Sequence, residues 1–126
     1  LDGVGDLVES VRRAGLAVEV RTEGEPRPVA GLAGVTLYRV VQEALTNVLK
    51  HAAAERADVE LRYDPESLVV TVTDDGRGRS GATADAGGHG LAGMRERLAV
   101  LGGTLDAGPR PEGGFSVRAR PPVGTP

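Results

Sequence analysis

The 126 residues carry 15 basic and 18 acidic side chains, a formal net charge of −3 and no cysteine. That balance excludes a nucleic-acid or anionic-membrane binder driven by net charge, and the missing thiols exclude a disulfide framework or a thiolate metal centre. Length predicts one domain over 1–126, and no apolar run approaches the ~18 residues needed to cross a bilayer. No signal peptide is visible. With Leu1 at the start and Met94 as the only methionine, the chain reads as part of a longer protein.

In chain order, Val4 to Ala14 has a short helical pattern ending near Gly15. In 16–21, Leu16, Val18 and Val20 alternate with Ala17, Glu19 and Arg21, a strand with one wet and one buried face. A helix is predicted from near Gly34 to Ala52. There Leu37, Val40, Val41, Ala44, Leu45, Val48 and Leu49 form an apolar stripe at the 3.6-residue period, and Glu43, Asn47, Lys50 and His51 line up on the other side. A carboxylate, an amide, an amine and an imidazole in one row suit a metal ion and phosphates. They suit a solvated helix face as well, and this segment leaves both readings open.

Period-two patterning returns in 56–63 and in 68–74, where Leu68, Val70 and Val72 share a face with Asp74. Tyr63 to Ser67 reads as the hairpin turn between these strands. Residues 75–90 lack any apolar period and form a long loop of small residues, the kind that serves as a functional lid or a linker. A third helix, Leu91 to Leu101, stops at Gly102; strands follow at 104–107 and 115–120, and the tail 121–126 is expected to fray. One-sided strands with helices to cover the apolar face predict an α+β fold. It is a two-layer sandwich with a mixed, mostly antiparallel sheet of about five strands and three helices on one face.

Asp74 is the telling residue. An unpaired carboxylate on a buried face is costly, so it requires a dedicated donor; capping its own turn is one way to find it. Gly76 and Gly78 beyond it let a flat ligand approach the backbone. The letters GxGxxG occur at Gly76 to Gly81 and at Gly88 to Gly93. The first opens no helix and the second follows no strand, so neither meets the context of a dinucleotide fingerprint. The second still leads into a helix N-terminus whose free N–H groups suit phosphate.

These residues resemble a known family. Tyr38 to Ala52 (YRVVQEALTNVLKHA) is similar to the N box of the ATP-binding catalytic domains of bacterial sensor histidine kinases. TVTDDGRG resembles their G1 box, and GGHGLAGMRERLAVLGG resembles the G2 box of the NarL/DesK-like subfamily, within the GHKL superfamily and its Bergerat fold. The likeness runs from about Leu16 to Arg120. It implies that Asp74 accepts from an adenine amino group, with Gly76 and Gly78 shaping that pocket. It implies that Asn47 coordinates Mg²⁺, that Glu43 is catalytic, and that Lys50 and His51 lie toward the phosphates of ATP. Gly88, His89, Gly90 and Leu91 would hold the phosphate chain, with 77–89 as the ATP lid.

The implied partners are a dimerisation domain bearing a phosphoacceptor histidine, absent from this chain, and a response regulator. No nucleic acid or direct membrane contact is expected of this cytoplasmic piece. An F box between G1 and G2 is missing, since the only Phe is Phe115, and Arg110-Pro111-Glu112 precedes the glycines before it. Two alternatives remain open: a serine kinase of the anti-sigma type, and a nucleotide-binding module that only regulates.

Overall fold

The alternating segments pair into one sheet in the computed structural model, which describes residues 3–26, 31–51, 55–65, 67–76, 93–111 and 113–120. Strands β1 (Ala17–Glu23), β2 (Arg56–Tyr63), β3 (Leu68–Asp74), β4 (Thr104–Pro109) and β5 (Phe115–Arg120) take the order β1-β2-β3-β5-β4. The β1–β2 pair is parallel and the other three pairs are antiparallel. A parallel neighbour needs a crossover, and helix α2 (Gly31–His51) supplies it. Helix α1 (Val4–Arg13) precedes β1, and a third, α3, spans 93–100.

One face of the sheet meets these helices. Val4, Val8 and Val11 of α1, Leu37, Val40, Val41, Ala44, Leu45 and Val48 of α2, and Met94 and Leu98 of α3 form a single core with Val59, Leu61, Val70, Val72, Leu105 and Val117. This is the α+β sandwich expected from the alternation. Each of β2 and β3 occupies the range its pattern predicted. In β2 burial alternates residue by residue, as a half-wet antiparallel sheet requires.

Three boundaries differ from expectation. α2 begins at Gly31 rather than near Gly34, because packing overrides the low helix propensity of the two glycines; Gly34 is buried. β1 runs to Glu23, held by parallel pairing out to Arg62 although only Val18 in it is buried. β4 continues through Gly108 to Pro109, which a proline permits at the end of an outer strand. α3 ends in a Schellman motif: Gly102 has φ 83°, its N–H donates to the Ala99 carbonyl at 3.0 Å, and the Gly103 N–H donates to the Leu98 carbonyl at 2.7 Å.

The outer strands are covered by arginines from the helices. Arg12 donates from Nε (3.1 Å) and Nη2 (2.7 Å) to the Val18 carbonyl of β1, and Arg95 Nε donates to the Leu105 carbonyl of β4 at 3.1 Å. Among the described residues no helix is long and apolar enough to cross a membrane.

α2 is rotated relative to the face read from its sequence. Leu49, expected in the apolar stripe, is 41% exposed, whereas Asn47, expected in the polar row, is 6% exposed. Asn47 follows Ala44 by three and Val40 by seven, so it flanks the buried stripe on the side that also buries Thr36. Leu49 lies on the opposite flank, outside the buried cluster. Leu45→Ala should therefore cost about 2–5 kcal/mol of stability, as a fully buried truncation does. Leu49→Ala should cost about 0.5 kcal/mol. Urea denaturation of both variants checks this; equal losses would place Leu49 in the core.

Candidate functional site

Period-two geometry carries Asp74, the last residue of β3, onto the core face, where it is 4% exposed. Its carboxylate is not left without a donor. The Gly76 N–H donates to Asp74 Oδ1 at 2.8 Å, a turn in which the aspartate binds the backbone two residues on. The neighbouring Asp75 is exposed and does a different job. Its Oδ1 accepts from the N–H groups of Glu55 (3.1 Å) and Arg56 (3.0 Å), while its own N–H donates to the Arg56 carbonyl at 3.2 Å. Asp75 thus ties the end of β3 to the start of β2.

Asp74 and Asn47 meet in one cleft. Ala44, Asn47 and Val48 of α2, Val72 and Asp74 of β3, and Phe115 and Val117 of β5 line a space of about 230 Å³. Asp74, Asn47 and Thr36 are the buried polar or charged side chains among the described residues, and two of the three face this space. Its lining suits a flat heteroaromatic ring: aliphatic walls, one aromatic side chain and the oriented Asp74 acceptor.

Glu43, half-buried, lies one turn before Asn47 on α2, while Lys50 is exposed and His51 is the last helical residue. The four residues read as one row therefore separate: Asn47 turns into the cleft, and Lys50 stays in solvent. Gly76 is buried beside Asp74. Gly78, Gly88, His89, Gly90 and Leu91, with the expected lid 77–89, lie outside the described residues.

Three contributors to this site have no sequence signal of their own. Phe115 stands out only as the lone Phe, yet it forms a wall of the cleft. Gly114 precedes it with φ 86°, and a Cβ built there would fall far inside van der Waals contact with the Asp74 carbonyl oxygen. Arg110 Nη1 donates to that same oxygen at 3.2 Å.

The helical crossover and the central strand of this sandwich thus each turn one buried polar group into a shared cleft. The chain belongs to the histidine kinase-, DNA gyrase B- and HSP90-like ATPase family, whose model matches residues 33–125. Among the relatives, the sensor histidine kinase YxjM of Bacillus subtilis is 39% identical over 109 residues, covering 83% of this chain and 26% of that protein. The sensor histidine kinase DesK of the same organism is 41% identical over 69 residues, covering 55% of this chain and 19% of its own length. The histidine kinase domain of the Erythrobacter litoralis EL346 blue-light activated kinase superposes with a TM-score of 0.71 at 29% identity, over 95% of this chain and 63% of that one. The chain spans about a quarter of the length of the curated relatives it matches. The resemblance carried by the three motifs holds: this is a GHKL catalytic domain of the sensor histidine kinase type.

Gly114→Ala should lose more than about 2 kcal/mol, from the positive φ and from contact with the Asp74 carbonyl. Gly108→Ala, where an added Cβ meets nothing within 4 Å, serves as the control. It should change stability by about 0.5 kcal/mol. Indistinguishable melting curves for the two variants would show that the turn relaxes freely.

Proposed function

We propose that this domain binds Mg-ATP with the adenine in the α2–β3 cleft and donates the γ-phosphoryl to a histidine on a separate dimerisation domain. From that histidine the phosphoryl passes to an aspartate of a response regulator, in a two-component system. The observation that carries this is the pair of buried polar side chains, Asp74 and Asn47, on opposite walls of one apolar cleft. Asp74 Oδ1 is already oriented by the Gly76 N–H, so the carboxylate presents an acceptor in a fixed direction, which an adenine amino group satisfies and a guanine carbonyl does not.

Asn47 supplies an amide oxygen, a hard donor suited to Mg²⁺. Among the described residues no cluster of three or more His, Asp or Glu side chains would hold a resident ion. A single amide donor would suit a metal that arrives with the nucleotide. Bound there, the ion would neutralise charge on the phosphates. In this reading Glu43, one turn away on the same helix, accepts the proton that the acceptor imidazole loses as its nitrogen bonds to phosphorus and ADP departs. Lys50 and His51, at the end of α2, and Gly78, Gly88, His89, Gly90 and Leu91 complete the phosphate side in this reading. Rate enhancement then rests on positioning and charge neutralisation.

Asp74→Asn tests the base end. The amide can turn a donor toward the adenine amine, so the variant should lose most of its preference for ATP over GTP in calorimetric titration. An unchanged preference would make Asp74 a turn cap only.

The phosphoryl end is tested in trans. The chain alone should bind ATP yet label itself almost undetectably, and adding the dimerisation domain of its own full-length protein should give acid-labile label on a histidine of the added piece. Asn47→Ala should abolish that transfer, and Glu43→Gln should slow it while leaving ATP affinity within a few-fold. Acid-stable label on Ser or Thr of this chain would shift the assignment to a serine kinase of the anti-sigma type.

A further inference from the structure

We propose that Arg110 is a positioning residue for base selection. Its guanidinium, from the β4–β5 hairpin, fixes the Asp74–Asp75 peptide and through it the direction of the Asp74 carboxylate. The inference rests on reading the α2–β3 cleft as the base pocket.

The pairing of β3 with β5 runs from Val70 opposite Ala119 to Thr73 opposite Ser116. The carbonyl of Asp74 therefore lies beyond the ladder. The N–H of the same peptide, on Asp75, donates to the Arg56 carbonyl of β2. In an extended strand the two ends of a peptide point to opposite sides, so the Asp74 carbonyl faces β5 and the hairpin. Arg110 meets it there with a charged donor at 3.2 Å in a partly buried setting. A charge-assisted bond of this kind is stronger and more directional than a neutral one.

The hairpin that carries Arg110 is itself closed. The Arg110 N–H donates to the Gly114 carbonyl at 2.9 Å, and the Gly113 N–H donates to the Arg110 carbonyl at 3.0 Å. Gly114, with no Cβ, then packs directly against the oxygen that Arg110 binds. The last peptide of β3 is gripped from both sides, by Arg56 backbone and Asp75 on one and by Arg110 on the other. The carboxylate, borne on the Cα that begins that peptide, inherits that orientation. Arg110 needs no contact with the ligand to set which base fits.

The test compares the parent chain with Arg110→Met and Arg110→Lys, by calorimetric titration with Mg-ATP and Mg-GTP and by amide hydrogen exchange at Asp75 and Gly76 without nucleotide. Arg110→Met should weaken ATP about tenfold, equivalent to about 1.4 kcal/mol. It should leave the weaker GTP binding unchanged and speed exchange at both amides. Arg110→Lys, which keeps a charged donor, should stay within about threefold of the parent for ATP. An Arg110→Met chain that keeps the parent's ATP-to-GTP ratio, or that loses both nucleotides equally, overturns the inference while leaving the cleft a nucleotide site. A parent chain that binds neither nucleotide overturns the reading of the cleft, and this inference with it.

Discussion

The carboxylate of Asp74 stands on the same face of β3 as Leu68, Val70 and Val72, and the pairing of β3 with β2 and β5 keeps it there. Side chains alternate along a strand, so a slip of one residue would move the apolar residues into water and the carboxylate with them. The hydrophobic demand of the core and the placement of the acceptor are thus one constraint. A buried charge is costly unless hydrogen-bonded, and the Gly76 N–H supplies one such donor to Asp74 Oδ1. The carboxylate is thereby aimed along one direction.

Around that strand end, ordinary backbone bonding has been replaced by side chains. Asp75 accepts two N–H groups from the start of β2, and Arg110 donates to the carbonyl that β5 does not reach. Similar substitutions close the outer strands, where Arg12 and Arg95 occupy carbonyls of β1 and β4. An unpaired strand edge invites another chain to pair with it. An arginine lying across the carbonyl blocks that without removing the strand.

How far the sequence could be read depended on whether a signal was local. β2 and β3 were legible to the residue because burial on one face leaves a strict alternation. β1 was shorter in the reading than in the structure, because its distal half is held by backbone pairing while its side chains are exposed. Asp74 was legible because a carboxylate in an apolar register is anomalous on its face. Asn47 was found by motif but set on the wet side, since periodicity gives the spacing of a helix's faces and not the roll that packing imposes. Leu49 was misplaced for the same reason. Arg110, Gly114 and Phe115 were out of reach: their partners lie some forty positions away in sequence, and only the β3–β5 pairing brings them to Asp74. The glycines and histidine of 78–91 were legible as motifs and stand on that footing alone.

The connectivity of the sheet has a consequence for how the cleft comes into being. β2 with β3, and β4 with β5, are hairpins closed by short turns, and each pairs neighbours in the chain. The β3–β5 junction joins two hairpins that are far apart in sequence, and α2 brings in the third wall. No single hairpin or helix contains the cleft; it exists only as the joint among three separately connected pieces. A molecule lodged there touches all three at once, and its binding free energy is added to the native state as a whole. The occupant acts as a keystone, coupling pieces that short-range pairing alone would leave independent.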